Sequence, residues 1–254
     1  MNINLQLSER QRIEQEYHDA KYNGNLIQTD YNFREEIYYR FFWEQIGDVS
    51  GLKILDFGCG NGWVSIQLAK KGAKKVYGID ISGELIKKGN MWVENEGFSS
   101  KIDLKKMPGE KLVFPGEFFD LILGSAILHH TEIELALKSI FRVLKPEGRG
   151  IFIEPLNQNI FLRIWRLLTP WRRSPTEKAL TNKDLNLIQS IFPNSKLNYF
   201  LFTSIFSEGL TLLFPKCKTL IYFNILLEKI DNRLLKALPF WGKYCAVVVL
   251  ELKK

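Results

Sequence analysis

Ile54-Leu55-Asp56-Phe57-Gly58-Cys59-Gly60-Asn61-Gly62 is a short apolar run that breaks into three glycines, each separated from the next by one residue. The run reads as a strand, the glycines as a tight loop, and the residues after them as the first turn of a helix. Glycine lets the backbone turn sharply and come close to a ligand, and a helix N-terminus presents N–H groups that favour negative charge. A nucleotide-like ligand is expected at such a loop. A dinucleotide loop needs one more glycine where this chain has Trp63, and a phosphate loop needs Gly-Lys-Ser/Thr, which is absent.

Outward from the loop, short apolar runs recur at Val76 to Asp80, Ile102 to Leu104, Phe119 to Gly124 and Gly150 to Glu154, with helical stretches between them. This alternation predicts a parallel sheet covered on both faces. Ser82 is placed to cap a helix from Gly83 to Asn95, Thr131 one from Glu132 to Leu144, and Thr181 one reaching about Ile191. Further strands are expected at Lys196 to Phe202 and Cys245 to Leu252, with a mostly helical, apolar insertion at 204–240 between them. Residues 8–46 read as a helical preamble rich in aromatics, among them Tyr17, Tyr22, Tyr31, Phe33 and Trp43. The expected organisation is one domain over 1–254: a helical cap over 1–50, a ligand-binding core over 51–155, and acceptor-side insertions with the last two strands over 156–254.

The glycine loop with Tyr77-Gly78-Ile79-Asp80, Gly109-Glu110-Lys111-Leu112, Phe119-Asp120-Leu121-Ile122, Leu128-His129-His130 and Arg142-Val143-Leu144-Lys145-Pro146-Glu147-Gly148 follows one order and spacing. It resembles the class I S-adenosylmethionine-dependent methyltransferases over about 52–155. The resemblance implies a Rossmann-like, doubly wound, mostly parallel seven-stranded sheet, with S-adenosylmethionine as cofactor. It assigns Asp56, Gly58, Cys59, Gly60 and Gly62 to the methionine side of the cofactor and Asp80 to the ribose hydroxyls. Pro108 stands where similar proteins place an adenine-binding Asp, which leaves adenine to Ile81 and to the backbone of Gly109 and Glu110. Ser125 falls near the expected methyl. The group of closest resemblance spans quinone, natural-product and sugar methyltransferases and does not pick an acceptor; a small or lipid-like molecule methylated at oxygen is expected, with carbon methylation of a quinone precursor and nitrogen methylation open. An RNA or protein methyltransferase, and a non-catalytic cofactor-binding protein, are the alternatives.

For chemistry, a base near the carboxyl end of the fourth strand would take a proton from a hydroxyl acceptor. His130 is the first candidate and His129 the second; neutral imidazole suits the task. The resemblance also implies an N-terminal tyrosine that folds over the cofactor carboxylate or pairs with the later histidine, for which Tyr17, with His18 and Tyr22 beside it, is the candidate; Glu154, at a strand end, is a candidate to bind a substrate hydroxyl or amine. Cys59 reads as structural. The cysteines, Cys59, Cys217 and Cys245, form no C-x-x-C pair, so no metal is expected.

The chain has 254 residues and a net charge of +7, and its N-terminus lacks the apolar run of a secretory signal. A cytoplasmic protein is expected. Between 157 and 178 five cations, Arg163, Arg166, Arg172, Arg173 and Lys178, face the single acid Glu177 and alternate with Phe161, Trp165 and Trp171. Together with the apolar surplus of 204–240 this predicts a peripheral contact with the inner face of the membrane. The same insertion is expected to serve as a lid over an apolar acceptor; a homodimer through 204–240 competes with these readings, and a nucleic-acid partner is disfavoured.

Overall fold

The chain is described by a computed structural model covering residues 6–22, 37–172, 174–207, 210 and 218–254. Tyr31, Phe33, Arg173, Cys217 and the insertion residues Leu212, Leu213 and Phe214 lie outside the described residues. Seven strands, β1 (Lys53–Phe57), β2 (Lys75–Asp80), β3 (Ile102–Lys106), β4 (Phe119–Ser125), β5 (Leu144–Pro155), β6 (Lys196–Phe200) and β7 (Val247–Lys253), make one sheet in the order β3-β2-β1-β4-β5-β7-β6. The first five run parallel, and β7 is antiparallel to both β5 and β6. The doubly wound, seven-stranded expectation holds.

Strand periodicity explains the two-sided core. Leu55, Phe57, Ile79, Ile122, Phe152 and Leu250 pack on one face with α5 (Ile133–Val143) and α7 (Asn182–Ile191). Ile54, Val76, Leu121, Leu123, Ile151, Ile153 and Val249 pack on the other with α2 (Ile37–Ile46), α3 (Trp63–Lys70) and α4 (Gly83–Asn95). Alternate residues of one strand point to opposite faces, so a strand buried on both sides must be apolar throughout.

Local signals set most boundaries. The Ser82 hydroxyl accepts from the Leu85 N–H, and Thr181 closes a capping box with Asp184. Thr131, however, does not cap α5: its hydroxyl donates to the Leu128 carbonyl, and the cap position is Glu132. Lys145-Pro146-Glu147-Gly148 follows the end of α5 and bulges from the start of β5: Leu144 pairs with Phe119, and the register resumes at Arg149 against Leu121. Before β1, α1 (Glu9–Tyr22) lies against α4, and Glu14 is its only buried residue. After β5 come α6 (Ile160–Leu168), a 3-10 turn at Pro170–Arg172, α7 and β6; α8 (Lys218–Ala237) then lies between β6 and β7. The apolar insertion expected at 204–240 is therefore inserted at that point of the sheet.

Candidate functional site

The strand order reverses at β1, which has β2 on one side and β4 on the other, and at such a switch point the carboxyl ends of the strands open into a crevice. Here the crevice is a cavity of about 740 Å³. Gly58 and Gly60 after β1, Asp80 at the end of β2 with Ile81 after it, and Ser125 at the end of β4 with Ala126 and Ile127 after it line it, with Met107, Gly109 and Glu110 along one side.

The glycine loop is held by Asp80. One carboxylate oxygen accepts from the Gly60 N–H at 2.9 Å and the other from the Ser82 N–H at 2.9 Å, so the acid fixes both the loop and the start of α4. Burial raises its pKa above 3.8, opposed by those two amides. Gly60 has φ +54°, and a Cβ there would meet nothing within 4 Å. Since Gly60 is on the cavity wall, that open space is ligand space. By contrast, a Cβ on Gly58 would lie 2.4 Å from the Ile127 side chain, so that glycine serves packing as well.

Three residues assigned from the sequence do not reach the wall. Asp56 is buried beneath the loop and accepts from the Ser65 hydroxyl at 2.6 Å; desolvation lifts its pKa to about 7. The Cys59 side chain turns inward against Gly78, and burial pushes its thiol up, away from thiolate chemistry. Gly62 is the N-cap of α3, in left-handed conformation and packed on Leu104. Their part is to shape the loop from behind.

Glu154 is also corrected. It does not open into the cleft; it is fully buried, and it accepts from the backbone N–H groups of Ile127 (3.0 Å), Leu128 (2.7 Å) and His129 (3.3 Å). Its second oxygen contacts His129 Nδ1 at 2.7 Å. One carboxylate thus organises the turn at Leu128–His130. His129 is consumed by this role: it is buried between Glu154 and Glu177, whose oxygen lies 3.9 Å from its Nε2. The adjacent His130, its ring centroid 4.2 Å from that of His129, lines the cavity. Ala126, in the same turn, has φ +53°, a strained conformation of the kind that functional sites store.

From α1, residues spaced three and four apart reach the cavity on one face: Gln11, Glu14, His18 and Tyr22. Tyr17 lies off that face and contacts His18 edge-on, with centroids 5.3 Å apart, so Tyr22 and not Tyr17 is the tyrosine at the wall. Glu14 was not singled out in the sequence. Its Oε2 accepts from His130 Nδ1 at 3.0 Å, and its Oε1 accepts from Ser174 Oγ at 2.7 Å and from Thr176 Oγ1. Burial alone would raise this carboxyl, but the hydrogen bonds from His130, His18, Thr176 and Ser174 hold it well below the usual range. The signal was the i, i+4 pairing of Glu14 with His18 in an otherwise polar helix. Among the described residues, Glu14, His18 and His130, and His129, His130 and Glu177, bring donor atoms within 4.8 Å of one another. In both groups the carboxylates already face imidazole nitrogens.

The cavity fits S-adenosylmethionine: it joins an acid at the end of β2, a glycine loop open to ligand, and the apolar Ile81 and Met107 for a flat base. Residues 55–152 match the family described as "Methyltransferase domain". Over 110 residues, the chain is 36% identical to the ubiquinone biosynthesis O-methyltransferase of Bartonella bacilliformis, covering 43% of this chain and 43% of that protein. Over 105 residues it is 34% identical to the sterol 24-C-methyltransferase erg6 of Aspergillus fumigatus, covering 41% of this chain and 28% of that one. The match thus spans less than half the length of either relative. In fold, the chain is similar to geranyl diphosphate C-methyltransferase from Streptomyces coelicolor, with a TM-score of 0.66, 98% of each chain covered and 11% identity. Sheet order, cavity and sequence match agree: residues 55–152 match a methyltransferase domain and lie in a sheet of the class I, Rossmann-like order.

Proposed function

We propose that this chain transfers a methyl group from S-adenosylmethionine to an oxygen of a small, lipid-like acceptor. The observation that carries the reading is His130 on the wall of the cavity that also holds Gly60 and Asp80, which puts a proton acceptor and a cofactor cradle in one space. When bound, the cofactor supplies a methyl on a sulfonium, ready for in-line displacement. Asp80 would accept from the ribose hydroxyls, the Gly58–Gly60 loop would hold the methionine part, and Ile81, Met107 and the Gly109–Glu110 backbone would flank adenine. His130 would take the acceptor's hydroxyl proton at Nε2 as the new carbon–oxygen bond forms, and release it to water afterwards. Ser125, bonded to Tyr39 Oη at 3.2 Å, is available to orient that hydroxyl.

Two observations support a lipid-like acceptor. The relatives above are named for ubiquinone biosynthesis, sterol and geranyl diphosphate methylation. In addition, α6 has a strongly amphipathic sequence yet buries none of its residues. Trp165 is 46% exposed, Leu168 66%, Leu167 79% and Trp171 74%. Phe161 meets Phe206, and Ser207 bonds Asn224, which joins this surface to exposed Tyr222, Phe223 and Leu226 on α8. Exposed Arg163, Lys178 and Lys229 fit an anionic lipid surface, so we read α6 and α8 as a peripheral membrane face on the cytoplasmic side. Arg166 does not belong to that charge: it pairs with Glu177. No helix among the described residues is long and apolar enough to cross a membrane.

The test is incubation of purified protein with methyl-labelled S-adenosylmethionine and a cell extract, fractionated into lipid, polar small molecules, RNA and protein. Label in the lipid fraction, as an ether by mass spectrometry, is expected. Label in RNA or protein, or none in any fraction, overturns the proposal.

A further inference from the structure

We propose that Glu14 is a positioning residue for His130, reaching down from α1 to fix the ring's tautomer and orientation through hydrogen bonds that also tie α1 to the segment after α6. This inference rests on the reading of His130 as the proton acceptor.

A carboxylate is rarely buried unless each oxygen is paired. Glu14 is 2% exposed on a helix with no other buried residue, so hydrophobic packing does not explain its burial. Its pairing is complete and divided. Oε2 faces His130 Nδ1 at 3.0 Å, with His18 Nε2 3.6 Å away, while Ser174 and Thr176 donate to Oε1. An ionised carboxylate only accepts, so His130 carries its proton on Nδ1 and the neutral ring leaves Nε2 as the acceptor. A ring held this way keeps the orientation that proton transfer needs, and the nearby carboxylate stabilises the imidazolium that forms. The two hydroxyl donors lock the carboxylate in turn, since without them it could rotate away from the ring.

The rest of α1 is docked by polar contacts as well. Gln11 donates to Glu110 at 2.9 Å, Asp19 accepts from the hydroxyl of Ser82 at 2.5 Å, and Lys88 donates to the Tyr22 carbonyl. Glu14 is therefore held over His130 by contacts at both ends of its helix. Ser174 and Thr176 follow α6, the helix read above as membrane-facing, so the hold on His130 is continuous with that surface. The other charged or titratable groups near His130 are His18 on α1, His129 in its own turn, Glu177 after α6 and Asp80 at the end of β2.

The experiment is NMR of the intact protein with [15N]histidine, saturated with S-adenosylhomocysteine, alongside the labelling assay. The neutral His130 ring is expected in the Nδ1–H form. Glu14→Gln should mix the two neutral tautomers of the His130 ring, because an amide can donate as well as accept where the carboxylate only accepts. It should also lower labelling by about tenfold to a hundredfold and leave S-adenosylhomocysteine affinity within about threefold. Ser174→Ala with Thr176→Val should mix the tautomers by less, since the freed carboxylate can rotate from the ring, which keeps the test open if Glu14→Gln does not fold. An Nε2–H tautomer in wild type, or an unchanged Nδ1–H tautomer in a folded variant, overturns the proposal. So does an equivalent of metal that survives dialysis against a chelator and is lost in Glu14→Gln, since the cluster would then be a cation site. Failure of wild-type protein to methylate any fraction would count against the proposed function alone, because the resonance measurements need no acceptor.

Discussion

Gly58 and Gly60 both have positive φ, yet they fail differently when given a side chain. Gly58→Ala forces a Cβ into Ile127 and should destabilise the fold by about 1–3 kcal/mol, lowering the thermal midpoint and weakening ligand binding less than Gly60→Val does. Gly60→Val meets open space, so beyond the backbone strain of about 1–2 kcal/mol its side chain enters the cavity, and cofactor binding should fall by about a hundredfold or more. Thermal melts paired with binding measurements separate the two; equal binding loss in both would refute the assignment of Gly60 to ligand space. Two buried acids give opposite dependences on pH. Desolvation holds Asp56 at about 7 against an ordinary 3.8, so its contribution to stability is complete below 3.8 and is lost as pH rises to about 7. Glu14 is depressed, so its contribution is present above 4.5 and lost as pH falls below that. In melts from pH 3 to 8, Asp56→Asn should flatten the decline between pH 4 and 7, and Glu14→Gln should flatten the loss on the acid side. A decline in Asp56→Asn parallel to wild type would contradict the first assignment. The sequence exposed the glycines and Asp80 because a loop that must approach a ligand restricts residue type. It concealed Glu14, Glu154 and the division of labour between His129 and His130, because those depend on which face of a turn meets which buried carboxylate.

α5 and α6 make the same argument at the scale of elements. Both have apolar residues at helical spacing, but α5 buries Ala136, Leu137, Ile140 and Val143 on the sheet, whereas α6 buries nothing. Periodicity reveals that a face exists and not what covers it. The helix at 83–95 was legible to the residue because Ser82 caps it, while the start of α5 was misplaced because Thr131 spends its hydroxyl on the preceding turn. If α6 lies on a bilayer, Leu168→Glu with Trp171→Glu should abolish co-sedimentation with vesicles of one-third phosphatidylserine. Moving wild type from low salt to 0.5 M should weaken binding clearly, each interfacial cation contributing about 1 kcal/mol. Indifference to vesicles at low salt, with sedimentation as a dimer that the double substitution disrupts, would make the face a contact between two copies of the chain.

Across the whole molecule, the strand order puts a glycine loop, an acid and an imidazole from β1, β2 and the turn after β4 at one switch point, and α1 closes over them. Most of the parallel core was legible because its strands are largely apolar, whereas β3 is polar at Asp103, Lys105 and Lys106; β7 and β6 were legible as strands, but that β7 runs against both neighbours is a matter of connection and not of composition. The central claim is that this crevice is an S-adenosylmethionine site organised by Asp80. Calorimetric titration of S-adenosylmethionine into wild-type protein and Asp80→Ala tests it directly. The account predicts one equivalent bound per chain, weakened about tenfold to a hundredfold in a folded Asp80→Ala, which loses both the ribose partner and the anchor of the Gly60 amide. No heat of binding in wild type, or the same affinity in the variant, would contradict it.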